Sequence, residues 1–103
     1  MKTLLQILSW LLLASSLSSQ PFYLRGEVRD ESGNLLQNVN IRLLSTGYNY
    51  KTGNYGSFRI PAAKETDSLF FSFHGYQNAI VAVSAGKFIS VVLKLVPSVT
   101  NLI

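Results

Sequence analysis

The sequence predicts an all-β fold, a seven-stranded antiparallel β-sandwich, behind an N-terminal export signal. Three observations lead there. From Pro21 onward apolar residues recur with the period of a strand, two, rather than that of a helix, about 3.6. Turn signals rich in Gly, Asn and Pro punctuate the chain roughly every eight to twelve residues. No segment after the leader carries the apolar stripe of a helix.

The leader comes first. Met1–Lys2–Thr3 form a short positive start, Leu4 to Ala14 an apolar stretch broken only by Gln6 and Ser9, and Ser15 to Ser19 a small-residue exit. Ser16 and Ser18 satisfy the small-x-small rule of signal peptidase, with cleavage before Ser19 or one residue later. The apolar run is shorter than the ~20 residues that a membrane-spanning helix needs, and no later segment is long enough. Residues 1–19 are therefore expected to be a signal peptide, 20–97 the sandwich domain, and 98–103 a C-terminal tail or the start of a linker. The expected location is the periplasm, outer membrane or cell surface.

The strands follow in order. Tyr23–Asp30 alternates, with Leu24, Gly26 and Val28 on one face and Arg25, Glu27 and Arg29 on the other. Glu31–Asn34 is a turn, and Asp30 is placed to cap it. Asn38–Leu43 buries Val39, Ile41 and Leu43; Ser45–Gly47 breaks it. Tyr48–Thr52 and Ser57–Ile60 are read as two short strands joined by Gly53–Gly56 as a hairpin, ended by Pro61. Asp67–His74 turns Leu69, Phe71 and Phe73 inward, and Gly75–Tyr76 punctuates it. A strand within Gln77–Ser84 follows, then the turn at Ala85–Gly86. Phe88–Val96 closes the domain with Ile89, Val91, Leu93 and Leu95 on one face, stopped by Pro97.

Composition narrows the function. The chain is 48% hydrophobic and 14% charged, the balance of a packed domain rather than a disordered one. It carries nine basic and five acidic residues, and with Lys2 assigned to the leader the remainder has a net charge of +3. Those eight cations are spread singly along the chain, without the clustered stripe of a nucleic-acid binder, so no nucleic-acid partner is expected. Cysteine is absent, which excludes disulfides, Cys-ligated zinc and a lipid anchor on Cys. For a small exported domain that absence points to a bacterial envelope product.

Five short motifs stand in order along the chain. They are Gly26-Glu27-Val28-Arg29-Asp30-Glu31-Ser32-Gly33, then Leu36-Gln37-Asn38-Val39-Asn40-Ile41, then Thr52-Gly53-Asn54-Tyr55-Gly56-Ser57-Phe58, then Phe71-Ser72-Phe73-His74-Gly75-Tyr76, and finally Val91-Val92-Leu93. Together they resemble the carboxypeptidase regulatory-like domain over about residues 23–96. The resemblance implies a transthyretin/prealbumin-like sandwich, of the kind that leads bacterial outer-membrane receptors and surface proteins. The chain departs from that pattern at Leu35, where Pro is usual, at Asn38, where Gly is usual, and at Gly53, where Asp is usual.

Catalytic chemistry finds few residues. His74 is the single histidine, too few for a zinc hydrolase or for the multi-histidine transthyretin-like hydrolases. No nucleophile elbow or Gly-rich oxyanion segment is present. Asp30 and Glu31 are too sparse for a calcium loop. The expectation is therefore no enzyme, no cofactor and no metal. The surface residues that stand out are Tyr48, Tyr50 and Tyr55 with Asn54, flanked by Asn49 and Lys51. Their first reading is cross-strand aromatic packing in a hairpin; their alternative is contact with a glycan or a peptide. The expected function is a structural or protein-interaction module, either the leading part of a longer receptor or surface protein or a stand-alone one. Its expected partner is a protein, either a downstream domain of its own chain or an envelope component, with a glycan as the alternative.

Overall fold

A computed structural model describes residues 22–97; the expected signal peptide and the tail from 98 onward lie outside the described residues. Seven strands run in chain order: β1 (Phe22–Asp30), β2 (Asn40–Leu43), β3 (Asn49–Lys51), β4 (Ser57–Ala62), β5 (Thr66–Ser72), β6 (Ala79–Ser84) and β7 (Phe88–Leu93). No helix occurs among the described residues. One sheet has the order β4-β1-β7 and the other β3-β2-β5-β6. The sandwich and its seven strands are as the alternation predicts.

The inward residues of that alternation form one core. Leu24 and Val28 from β1, Ile41 and Leu43 from β2, Leu69 and Phe71 from β5, and Val91 and Leu93 from β7 are all buried. Each such side chain contributes roughly 1.5–3 kcal/mol by leaving water. Gly26 sits among them because nothing larger fits. A Cβ there would lie 2.4 Å from the Ile89 carbonyl oxygen and 2.6 Å from the Phe58 ring, so the glycine lets β7 and Phe58 close over β1. Phe58 in turn meets Phe71 across the core, ring centroids 5.7 Å apart.

Three details differ from the sequence reading. Not every pair is antiparallel: β1 and β7 run parallel, in register from Arg25↔Phe88 to Asp30↔Leu93. A parallel neighbour needs a long connection, and the first and last strands have the whole domain between them. β3 and β4 do not form a hairpin. β3 pairs with β2 (Ile41↔Tyr50), whereas β4 pairs with β1 in the other sheet (Leu24↔Ile60). Finally, β7 ends at Leu93, and Leu95 is 61% exposed rather than inward. Beyond β7 the chain leaves β1 and joins the 75–77 segment beside the other sheet. The Gln77 N–H donates to the Lys94 carbonyl at 2.8 Å and the Val96 N–H to the Gly75 carbonyl at 2.9 Å.

Asn38 explains one departure from the family pattern. Its φ is 63°, the only positive value among non-glycine described residues. Asparagine tolerates the left-handed region better than other side chains, so it can stand where a glycine is usual.

Candidate functional site

The motif residues of the first, second and third segments meet at one end of the sandwich, and there they hold backbone together. Thr52 is the one buried polar residue among those described. Its hydroxyl donates to the Leu36 carbonyl at 2.7 Å and accepts from the Val39 N–H at 3.0 Å. Its own N–H donates to Val39 and its carbonyl accepts from Asn38. Gly56 carries the chain from one sheet to the other under the β1–β2 connection, with φ 64° and its Cα so close that a Cβ would lie 2.8 Å from the Val28 carbonyl oxygen. Asp30 caps its turn as expected: Oδ1 accepts from the Ser32 and Asn34 N–H groups, each at 2.9 Å. The Asn34 backbone hydrogen bond, helped by its side chain and by Ser32, holds the Asp30 carboxyl below the usual carboxylate range.

The four residues singled out in the sequence divide into two groups. Tyr48 and Tyr50 come together on a groove of about 310 Å³ with Leu43, Pro61, Ala62 and Ala63. The groove exists because β3 and β4 belong to facing sheets and do not pair. Tyr50 is half-buried opposite Ile41, and Tyr48 is 65% exposed. Tyr55 and Asn54 lie in the 53–56 loop beyond the other end of β3. The extended chain from Tyr50 to Thr52 alone spans roughly 7 Å before the loop begins. Tyr55 is 76% exposed, and the Asn54 carbonyl accepts from the Gln37 side chain at 2.9 Å. The first reading of the aromatics, cross-strand packing in a hairpin, is thus corrected, since β3 and β4 belong to different sheets.

Groups able to do chemistry stand apart from one another. His74 is exposed just past β5. No group of three or more His, Asp or Glu that could hold a metal occurs among the described residues. A depression of about 550 Å³ over the 66–68 end of β5 contains one carboxylate, Asp67. Partial burial raises the Asp67 carboxyl, but hydrogen bonds from the Ser45 hydroxyl and the Ser68 N–H outweigh this and hold it low. It is satisfied as a local anchor.

One arrangement escapes the sequence. The cations are spread singly along the chain, yet the β1–β4 register sets Arg25 directly opposite Arg59 on the outer face of the three-stranded sheet. Phe88 is next in the same row across β7. Arg59 leans diagonally onto Tyr23, its guanidinium carbon 3.9 Å from the ring centroid. Glu27, two residues along, is already engaged by Arg29 and by the Ser90 hydroxyl. The Arg29 hydrogen bond holds the Glu27 carboxyl below its ordinary range. Alternation already turns Arg25 outward; its partner emerges only once β4 is known to pair with β1.

Residues 23–96 match the family described as the carboxypeptidase regulatory-like domain. No curated protein matches the chain.

Proposed function

The chain belongs to the carboxypeptidase regulatory-like domain family, and on that premise we propose that it is an exported module with a structural or protein-interaction role in the bacterial cell envelope. The matched domain is a non-catalytic β-sandwich. The observation that carries the proposal is where the motif residues go. Gly26, Thr52, Gly56 and Phe58 are consumed in holding turns and core, and Asp30 in its cap. What is left outward is surface suited to contact rather than to bond-making. Export is supported by the leader at residues 1–19, and a leading place in a longer receptor or surface protein by where such domains stand in their family. Expression of the full chain in a bacterial host, with fractionation and a mass measurement of the recovered protein, tests export. The expected product starts at Ser19 or Gln20 and is found in the envelope fraction. Cytosolic protein retaining Met1 refutes it.

A second reading has the Tyr48–Tyr50 groove contact a glycan or a peptide. It is favoured by the convergence of two tyrosines on one largely apolar groove. A glycan array comparing the protein with its Tyr48→Ala/Tyr50→Ala variant tests the glycan form: binding lost in the variant supports it, and silence from both rejects it.

A further inference from the structure

We propose that the Arg25–Arg59 pair, with Tyr23 and Phe88 beside it, is a docking surface for a protein partner that presents two neighbouring carboxylates in an extended segment. This deepens the interaction role proposed above and depends on no part of the export proposal, since a chain that kept its leader would still present the same face.

Like charges directly opposite on neighbouring strands destabilise a sheet. Here no carboxylate among the described residues pairs with either arginine, and the nearest on β1, Glu27, is held by Arg29 and Ser90. Two arginines therefore face outward from directly opposed positions without a counter-charge among the described residues. Their chemistry is specific. A planar guanidinium offers paired in-plane N–H donors that match a carboxylate in a fork, which a lysine ammonium does not. Tyr23 holds the Arg59 guanidinium carbon 3.9 Å over its ring centroid, a contact that uses none of the guanidinium's N–H donors as hydrogen bonds to a carboxylate. The surroundings are those of a protein interface. Arginine and aromatic residues are enriched at such surfaces while lysine is depleted. This face carries Tyr23, Arg25, Arg59 and Phe88 with Ser90 and Val92; Phe88 is 59% and Val92 50% exposed. A partner bringing two carboxylates supplies the missing counter-charge and relieves the repulsion on binding.

The repulsion makes the proposal testable in a way that separates folding from binding. Protein recovered from expression of the full chain is titrated, by NMR at low ionic strength, with a synthetic ten-residue peptide carrying Glu at alternate positions. The same peptide with Gln in place of Glu, and a polyuronate, are titrated beside it. The acidic peptide is expected to shift signals of residues 23–25, 59 and 88, and the Gln peptide to leave them still. Arg25→Glu is expected to weaken binding at least tenfold, the loss of about one charge-assisted contact. The same variant replaces a repulsive cross-strand pair by an attractive one, so its thermal midpoint is expected to rise by about 2–5 °C. Arg59→Gln is expected to lose binding with a smaller rise, since it removes the repulsion but adds no attraction and gives up the contact with Tyr23. Undiminished binding by Arg25→Glu, shifts spread evenly over the lysines, or no shift at all overturns the proposal. Tighter binding of the polyuronate than of the peptide also overturns it and assigns the face to an acidic glycan.

Discussion

Two glycine-bearing loops look alike in the sequence and do opposite things in the fold. The 73–78 loop joins β5 to β6, which pair with each other from Thr66↔Ser84 to Phe71↔Ala79. The 52–56 segment joins β3 to β4, which belong to different sheets. The difference lies in what each loop touches. Gly75 has a φ of 89° and nothing within 4 Å of where its Cβ would be; its loop is bonded to the chain after β7, through Gly75 and Gln77, but not across to the facing strands of the other sheet. Gly56 is pressed against the Val28 carbonyl and the Leu36 N–H, while Thr52 is pinned to Leu36 and Val39. A loop tied on both sides to the β1–β2 connection cannot fold back on itself. It passes the chain to the other sheet, and by keeping β3 and β4 apart it opens the groove that Tyr48 and Tyr50 line.

Substitution at the two glycines should separate the loops most clearly. Gly56→Ala must hold an alanine in left-handed backbone and push apart a carbonyl at 2.8 Å, at an expected cost of about 3–4 kcal/mol. Gly75→Ala meets only the backbone term, about 1 kcal/mol. Chemical denaturation of both variants measures the gap. Equal losses would mean that Gly56 is not in close contact.

Thr52→Val should come next. It keeps the shape and removes the hydroxyl, leaving the Leu36 carbonyl and the Val39 N–H each short of a partner, for an expected loss of about 1–3 kcal/mol. A change under half a kcal/mol would show that the hydroxyl does not tie the crossover.

The smallest effect belongs to the neighbouring turn. The Asp30 carboxyl is held below its ordinary value by Asn34 and Ser32. Its contribution is therefore present above the unfolded-state value of about 4 and is lost as pH falls through the lower folded-state value. Thermal melts across that acid range should fall less steeply for Asp30→Asn than for the parent. Identical slopes would rule out the cap as a source of acid sensitivity.

The strands themselves were legible because a sandwich buries one face of each, and alternation records burial. Val39, Ile41, Leu43, Leu69 and Phe71 are inward as the period of two requires. The Asp30 cap was legible because it is local. Which strand lies beside which was not. Ser57–Ile60 has the same alternation whether it pairs with β3 or β1, and what goes with the β1 pairing is a set of contacts far along the chain, at Gly26, Thr52 and Gly56. The candidate surfaces inherit that limit. Tyr48, Tyr50 and Tyr55 are close in sequence and divided in space, whereas Arg25 and Arg59 are far apart in sequence and opposite in space. Leu95 fails for a similar reason: its alternation is intact, but its neighbours Lys94 and Val96 bond to Gln77 and Gly75 in the β5–β6 loop instead of continuing beside β1.

The crossover at 52–56 sets both surfaces, so it is the point to measure. Two-dimensional NOE spectroscopy should show the Tyr50 backbone beside Ile41 and the Arg59 backbone beside Arg25, with Tyr48 and Tyr50 ring protons near Pro61 and Ala63. Backbone contacts pairing Tyr50 or Lys51 with Ser57 or Phe58 would instead mean a closed hairpin, and would remove the groove and the arginine pair together.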